Sequence, residues 1–168
     1  MRCGIDAMRR AARRCATATI AAGVALCALL PALPAFAADD SVQLDPFAQA
    51  TRGYPGCPDA PPPLMTAQEA RTAAHARAER GTRCAMEGTC EPGGAYKRDP
   101  ETNERMRALI ATDPKFGNTS VWVTTSRKWV TLQGCVRTPA QRKSLVALVV
   151  KQANVERVFD ELSVGTRR

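Results

Sequence analysis

Beyond the N-terminus, few residues of this chain have the types and spacing that could do chemistry. They are Cys57, Cys84, Cys90 and Cys135, a single histidine, His75, and two tryptophans, Trp122 and Trp129. Four cysteines can form two disulfides in three connectivities, or can bind zinc as thiolates. His75 offers an extra zinc ligand, but Cys84 and Cys90 are too far apart for a tight Cys-x-x-Cys knuckle. A catalytic thiol has no better support, because His75 has no readable relation to any cysteine. No paired acids, Ser-His-Asp set or metal cluster occurs at working spacing, so a non-enzymatic protein with no cofactor is expected.

The compartment decides between thiols and disulfides. Arg2, Arg9, Arg10, Arg13 and Arg14 precede an uncharged apolar run from Ala16 to Leu30. Pro31, Pro34 and Ala35-Phe36-Ala37 follow. These are the three regions of a Sec-type signal peptide, with cleavage expected after Ala37. The apolar run is shorter than a membrane span needs, which disfavours a retained anchor. Leu26 is too large for a lipobox before Cys27, and no Phe-Leu-Lys follows either arginine pair, as a twin-arginine signal would have. The expected location is periplasmic, with no transmembrane span after signal removal. Cys3, Cys15 and Cys27 leave with the leader. So do five arginines and Asp6, which carry about half of the formal +8 charge. The remaining basicity is ordinary for a soluble domain. Nucleic acid is an improbable partner outside the cytoplasm. An even set of four cysteines in an exported chain favours disulfides.

Two regions must position these residues. Residues 38–98 form a Pro-rich, cysteine-containing extension, and 38–65, with Pro61-Pro62-Pro63, reads as extended or irregular. Thr66-Ala67-Gln68-Glu69 is a capping box that opens a helix expected to run to about Arg80 and stop at Gly81. Its stripe of Ala67, Ala70, Ala74 and Ala78 allows close approach to another surface but gives little hydrophobic free energy. From Asp99 the periodicity strengthens. Asp99-Pro100 opens a helix with Met106, Leu109 and Ile110 on one face, ending before Pro114. Val121 to Val136 reads as a β-hairpin. Thr138-Pro139 opens a second helix with Leu145, Val146, Leu148, Val149 and Val150, ended by Asn154. Val155 to Val164 is the last strand.

This order, with Val130-Thr131-Leu132-Gln133-Gly134-Cys135-Val136 and the closing Val155-Glu156-Arg157-Val158-Phe159-Asp160-Glu161-Leu162-Ser163-Val164, resembles a BON domain over residues 99–164. The resemblance implies an α+β fold: a small αββαβ sandwich with two helices on one face of a three-stranded mixed sheet. The N-terminal extension with its one helix would be appended to that fold. The family further implies an envelope location and phospholipid binding, and it offers no catalytic residues. The likeness departs from the commoner arrangement in having one copy and in placing Cys135 after the glycine.

A two-residue turn at Ser126-Arg127 would set Val123 opposite Val130 and Val121 opposite Leu132 on the core side. Trp122, Thr124, Trp129, Thr131, Cys135 and Phe159 would then share the outer side. Left bare, that side is an unusual apolar patch. Either the extension folds over it, its Ala-faced helix flat on the rings and a disulfide from Cys135 holding it, or the tryptophans bind lipid headgroups or a partner. The favoured pairing is Cys84–Cys90 as a local loop and Cys57–Cys135 as the long staple. Arg127, Lys128, Arg137, Arg142 and Lys143, with Trp122 and Trp129, make up the candidate binding surface, Lys151 adding to the charge. The expected function is an exported envelope module binding anionic phospholipid or an envelope protein, in envelope integrity or osmotic stress. The alternative is a protein-protein assembly adaptor acting through the disulfide-stapled extension.

Overall fold

The computed structural model describes residues 40–165. The expected signal peptide, residues 1–37, lies outside them. The element order is β1 (Ser41–Gln43), β2 (Phe47–Arg52), β3 (Leu64–Thr66), α1 (Ala67–Met86), α2 (Asp99–Thr112), a 3-10 turn (Pro114–Phe116), β4 (Ser120–Ser126), β5 (Trp129–Val136), α3 (Pro139–Val150) and β6 (Arg157–Val164).

The main sheet has four strands, not three, in the order β2-β4-β5-β6. β2 pairs antiparallel with β4, β4 antiparallel with β5, and β5 parallel with β6. The added strand comes from the segment read as irregular. Phe47 to Arg52 is short and lies among turn residues, so its alternation is hidden until β4 offers a free edge. β1 and β3 form a separate antiparallel pair.

α2 and α3 both pack on the face of the sheet that carries Val121, Val123, Val130 and Leu132. Met106, Ile110, Leu145 and Val149 are fully buried against these residues, with Phe116, Val136 and Leu162 completing the core. Each such side chain contributes roughly 1.5–3 kcal/mol by leaving water. Buried hydroxyls are paired, the Thr125 hydroxyl donating to Asn103 Oδ1 at 2.9 Å and Thr51 and Thr119 sharing a hydrogen bond of 2.8 Å, whereas the buried Gln49 Nε2 on β2 has no partner among the described residues.

The hairpin register differs from the expected one. Its turn is Arg127-Lys128, so Val123 faces Leu132, Thr125 faces Val130 and Val121 faces Gly134. The shift preserves parity, and the sidedness of every hairpin residue is unchanged.

α1 differs more. It continues through Gly81 to Met86, and its only fully buried residue is Ala70. Ala74 and Ala78 are exposed, and the half-buried stripe runs instead through Ala73, Arg77, Gly81 and Cys84. The helix packs on β1 and β3, not across the tryptophans. Arg77 explains the rotation: it reaches Asp45 at 2.9 Å and lies 4.6 Å over the Tyr96 ring. Gly81 serves close approach and not termination, because a Cβ there would stand 3.2 Å from the Gly94 Cα.

Candidate functional site

The outer side of the sheet is covered at one end and open at the other. At the covered end, a disulfide joins Cys57 to Cys135. The segment after Cys57 lies along β5 and β6, and Pro58 to Pro61 enclose a crevice of about 190 Å³ with Gln133, Gly134, Cys135, Glu161 and Ser163. Tyr54 secures the approach: its N–H donates to Ser120 Oγ at 3.1 Å, and Arg137 stacks 3.7 Å over its ring. Trp122 is 5% exposed at this end. Gly134 makes room for it: a Cβ would meet Trp122 Cε3 at 3.0 Å and the Ser120 carbonyl oxygen at 2.1 Å. The φ of Gly134 is +116°, a conformation that L side chains rarely adopt.

The open end holds Trp129. Phe159 meets its ring edge-on at 5.7 Å. Arg127 lies 4.2 Å from the ring centroid and Arg157 5.5 Å from it. Neither arginine has a carboxylate within ion-pair distance among the described residues, although four acids flank the same strands at positions 99, 156, 160 and 161. These acids are engaged elsewhere: Glu156 pairs with Lys128 at 3.1 Å, Asp160 with Arg142 at 2.8 Å, and Glu161 accepts from Gln133.

The fourth acid builds the site. Arg127 and Lys128 have φ of +54° and +64°, the left-handed pair of a type I′ turn that usually takes Asn-Gly. Two non-glycine residues there cost about 1–2 kcal/mol each. Asp99, 2% exposed at the start of α2, offsets that cost. Its two carboxylate oxygens accept from the Arg127 N–H at 2.6 Å and the Lys128 N–H at 2.9 Å. Burial pushes the Asp99 carboxyl above its usual range, against the lowering effect of these two N–H donors. The register correction and the placement of Arg127 over Trp129 have this one cause. A residue that reads as a helix start in the sequence is the clamp of the hairpin tip.

The residues expected to form one surface therefore separate. Arg127 and Trp129 come together, joined by Arg157 and Phe159. Lys128 is held by Glu156, Arg142 by Asp160, and Arg137 by Tyr54 at the far end. Trp122 is buried. Lys143 lines a separate shallow groove along α3 with Val146, Ala147 and Val150. Arg157 is not among the residues expected at this surface. Its relation to Trp129 requires the parallel register of β5 and β6, which sets the two directly opposite.

Cys84 and Cys90 form the second disulfide, at the end of α1. With all four described cysteines bonded to one another, none is available as a thiolate ligand, and His75 pairs with Glu79 at 3.2 Å. Among the described residues, no helix is long and apolar enough to cross a membrane.

The described residues form an α+β module with a glycine-containing central strand and two helices on one sheet face. Residues 98–166 match the family model of the BON domain. The match points to a lipid-binding or envelope-associated module. No curated protein and no solved structure matches the chain.

Proposed function

We propose that the chain is an exported, non-enzymatic module of the cell envelope that binds an anionic phospholipid surface through Arg127, Trp129, Arg157 and Phe159. In this reading residues 1–37 are the signal peptide, 38–98 the stapled extension, and 99–164 the binding domain. The observation that carries it is two arginines, without carboxylate partners among the described residues, stacked about one half-exposed tryptophan. Phosphate oxygens are the complement of such guanidinium groups. A tryptophan ring sits favourably at the headgroup level, where one side is apolar and the other wet. Two cations near an anionic surface contribute about 2 kcal/mol together, equivalent to roughly thirtyfold in affinity.

Co-sedimentation with vesicles tests the reading. The protein is expected to pellet with phosphatidylglycerol vesicles at low salt and not with phosphatidylcholine alone. Arg127→Glu should weaken that binding by an order of magnitude or more, and raised salt should release it. Absence of binding to the anionic vesicles at low salt would rule out the lipid surface. It would leave the assembly-adaptor reading, for which the crevice between Pro58–Pro61 and β5–β6 is the feature to mutate.

A further inference from the structure

We propose that the chain forms a two-fold symmetric dimer by antiparallel pairing of β6 with β6 of a second copy, Phe159 opposite Phe159. β6 is the open edge of the four-stranded sheet and is eight residues long. An edge strand of that length leaves backbone N–H and C=O groups without sheet partners; here the Leu162 N–H donates to Asp160 Oδ1 at 3.2 Å and the Asp160 carbonyl accepts from Arg142 at 3.3 Å, local contacts that pairing would have to exchange or share.

Three of the five large hydrophobic side chains left exposed among the described residues gather at the same edge, Leu64 and Met86 lying elsewhere. Of the large hydrophobic side chains left exposed, Phe159 and Val164 lie on β6, and Val150, at 55% exposure, lies on α3 beside it. Val150, Val146 and Ala147 line a shallow groove of about 450 Å³ that reaches Asp160 on β6. A second copy joined at the edge would bring its own α3 toward this groove, so strand pairing and helix packing would proceed together.

Opposite charge selects the register, since only centring on Phe159 sets a cation of β6 against an anion. Side chains that face each other across paired strands share a face, so Arg157 can meet Glu161 but not Asp160. Centring the two-fold axis on Phe159 sets Arg157 of each copy against Glu161 of the other, twice by symmetry. Centring it on Arg157, Asp160 or Glu161 would set identical charges against each other, and centring it on Val158 would set Glu156 against Asp160. Arg157 stacks 5.8 Å from the Phe159 ring and has no ion-pair partner in its own chain among the described residues. On the opposite face Val158 would meet Asp160, whose charge Arg142 already balances. The product is an eight-stranded sheet with both Trp129 clusters on one side. Pairing with Glu161 withdraws Arg157 from the lipid contact, and Arg127 of each copy then supplies the two cations beside the tryptophans. The opposing view is that Arg157, Asp160 and Glu161 guard the edge against pairing, and it requires a monomer.

Sedimentation equilibrium of the purified protein, kept oxidised, separates the two. The expected result is the mass of two chains. Arg157→Glu and Glu161→Arg should each weaken association about tenfold or more, since attraction becomes repulsion at two symmetric places. The double variant Arg157→Glu/Glu161→Arg should recover the parent constant to within about threefold. Urea midpoints taken at a protein concentration where parent and variants are all monomeric should be the same, which assigns the loss to association and not to folding. A one-chain mass at all concentrations up to on the order of 0.1 mM would overturn the proposal. So would a dimer indifferent to the single reversals, or a double variant no better than either.

Discussion

Replacing Cys57 and Cys135 together by alanine should remove the largest single contribution that fixes the extension to the sheet. The bond closes a loop with a sequence separation of 78. The chain-entropy relation gives about 4.5 kcal/mol for a loop of that length, and about 2 kcal/mol for the separation of 6 between Cys84 and Cys90. Alanine is the right replacement because Cys135 is buried, and a serine hydroxyl there would add its own desolvation penalty. The contacts of Tyr54 with Ser120 and Arg137 remain in the variant but are worth about 1 kcal/mol each. They cannot replace the covalent closure. Urea unfolding followed by tryptophan emission is the assay, with a midpoint expected to fall by about 2 M at a typical slope for a small domain. The Cys84→Ala/Cys90→Ala variant should lose about half as much. A loss below about 1 kcal/mol for the Cys57/Cys135 pair, or a larger loss for the short loop, would refute the reasoning from loop closure.

Gly134→Ala should destabilise by about 3 kcal/mol or more in the same assay, because the new Cβ meets the Ser120 carbonyl in a backbone conformation alanine resists. Asp99→Ala should cost about 2 kcal/mol or more by leaving the Arg127 and Lys128 N–H groups unpaired at a strained turn. The titration of Asp99 has a definite sign. Its folded-state pKa lies above the ordinary value of 3.8, so the native state holds the proton more tightly than the unfolded state does. This group's contribution to stability is therefore fully present below 3.8 and falls as pH rises through the raised value. It is constant at higher pH. Asp99→Asn should abolish that falling component in a stability profile across the acid range, and an unaltered profile would contradict the assignment.

The legible part of the fold was what periodicity carries: α2, both hairpin strands, α3, β6 and the sidedness of each strand. Parity also placed Trp122, Trp129, Cys135 and Phe159 on one face without the correct turn, because a slip of the turn by one residue at each end leaves side-chain faces unchanged. The rest depended on partners distant in sequence. β2 has too few residues to announce itself and exists because β4 has an edge to fill. The rotation of α1 follows from Arg77 meeting Asp45 and Tyr96, and its passage through Gly81 from the close approach of Gly94. The turn at Arg127-Lys128 follows from a buried carboxylate at the start of a helix. At the site, residue type was readable and association was not. Of the basic residues on and beside the hairpin, Lys128, Arg137 and Arg142 are held by internal partners, while Arg127 and Arg157 converge on Trp129.

The central claim is that the open end of the outer sheet face, centred on Trp129, meets an anionic lipid surface. The most direct measurement is the emission of Trp129 alone, in the Trp122→Phe chain, titrated with phosphatidylglycerol vesicles and then with salt. The expected result is a shift to shorter wavelength and protection from an aqueous quencher, both reversed as salt screens the arginines. A chain that pellets with the vesicles while Trp129 emission and quenching stay as they are in buffer would contradict it.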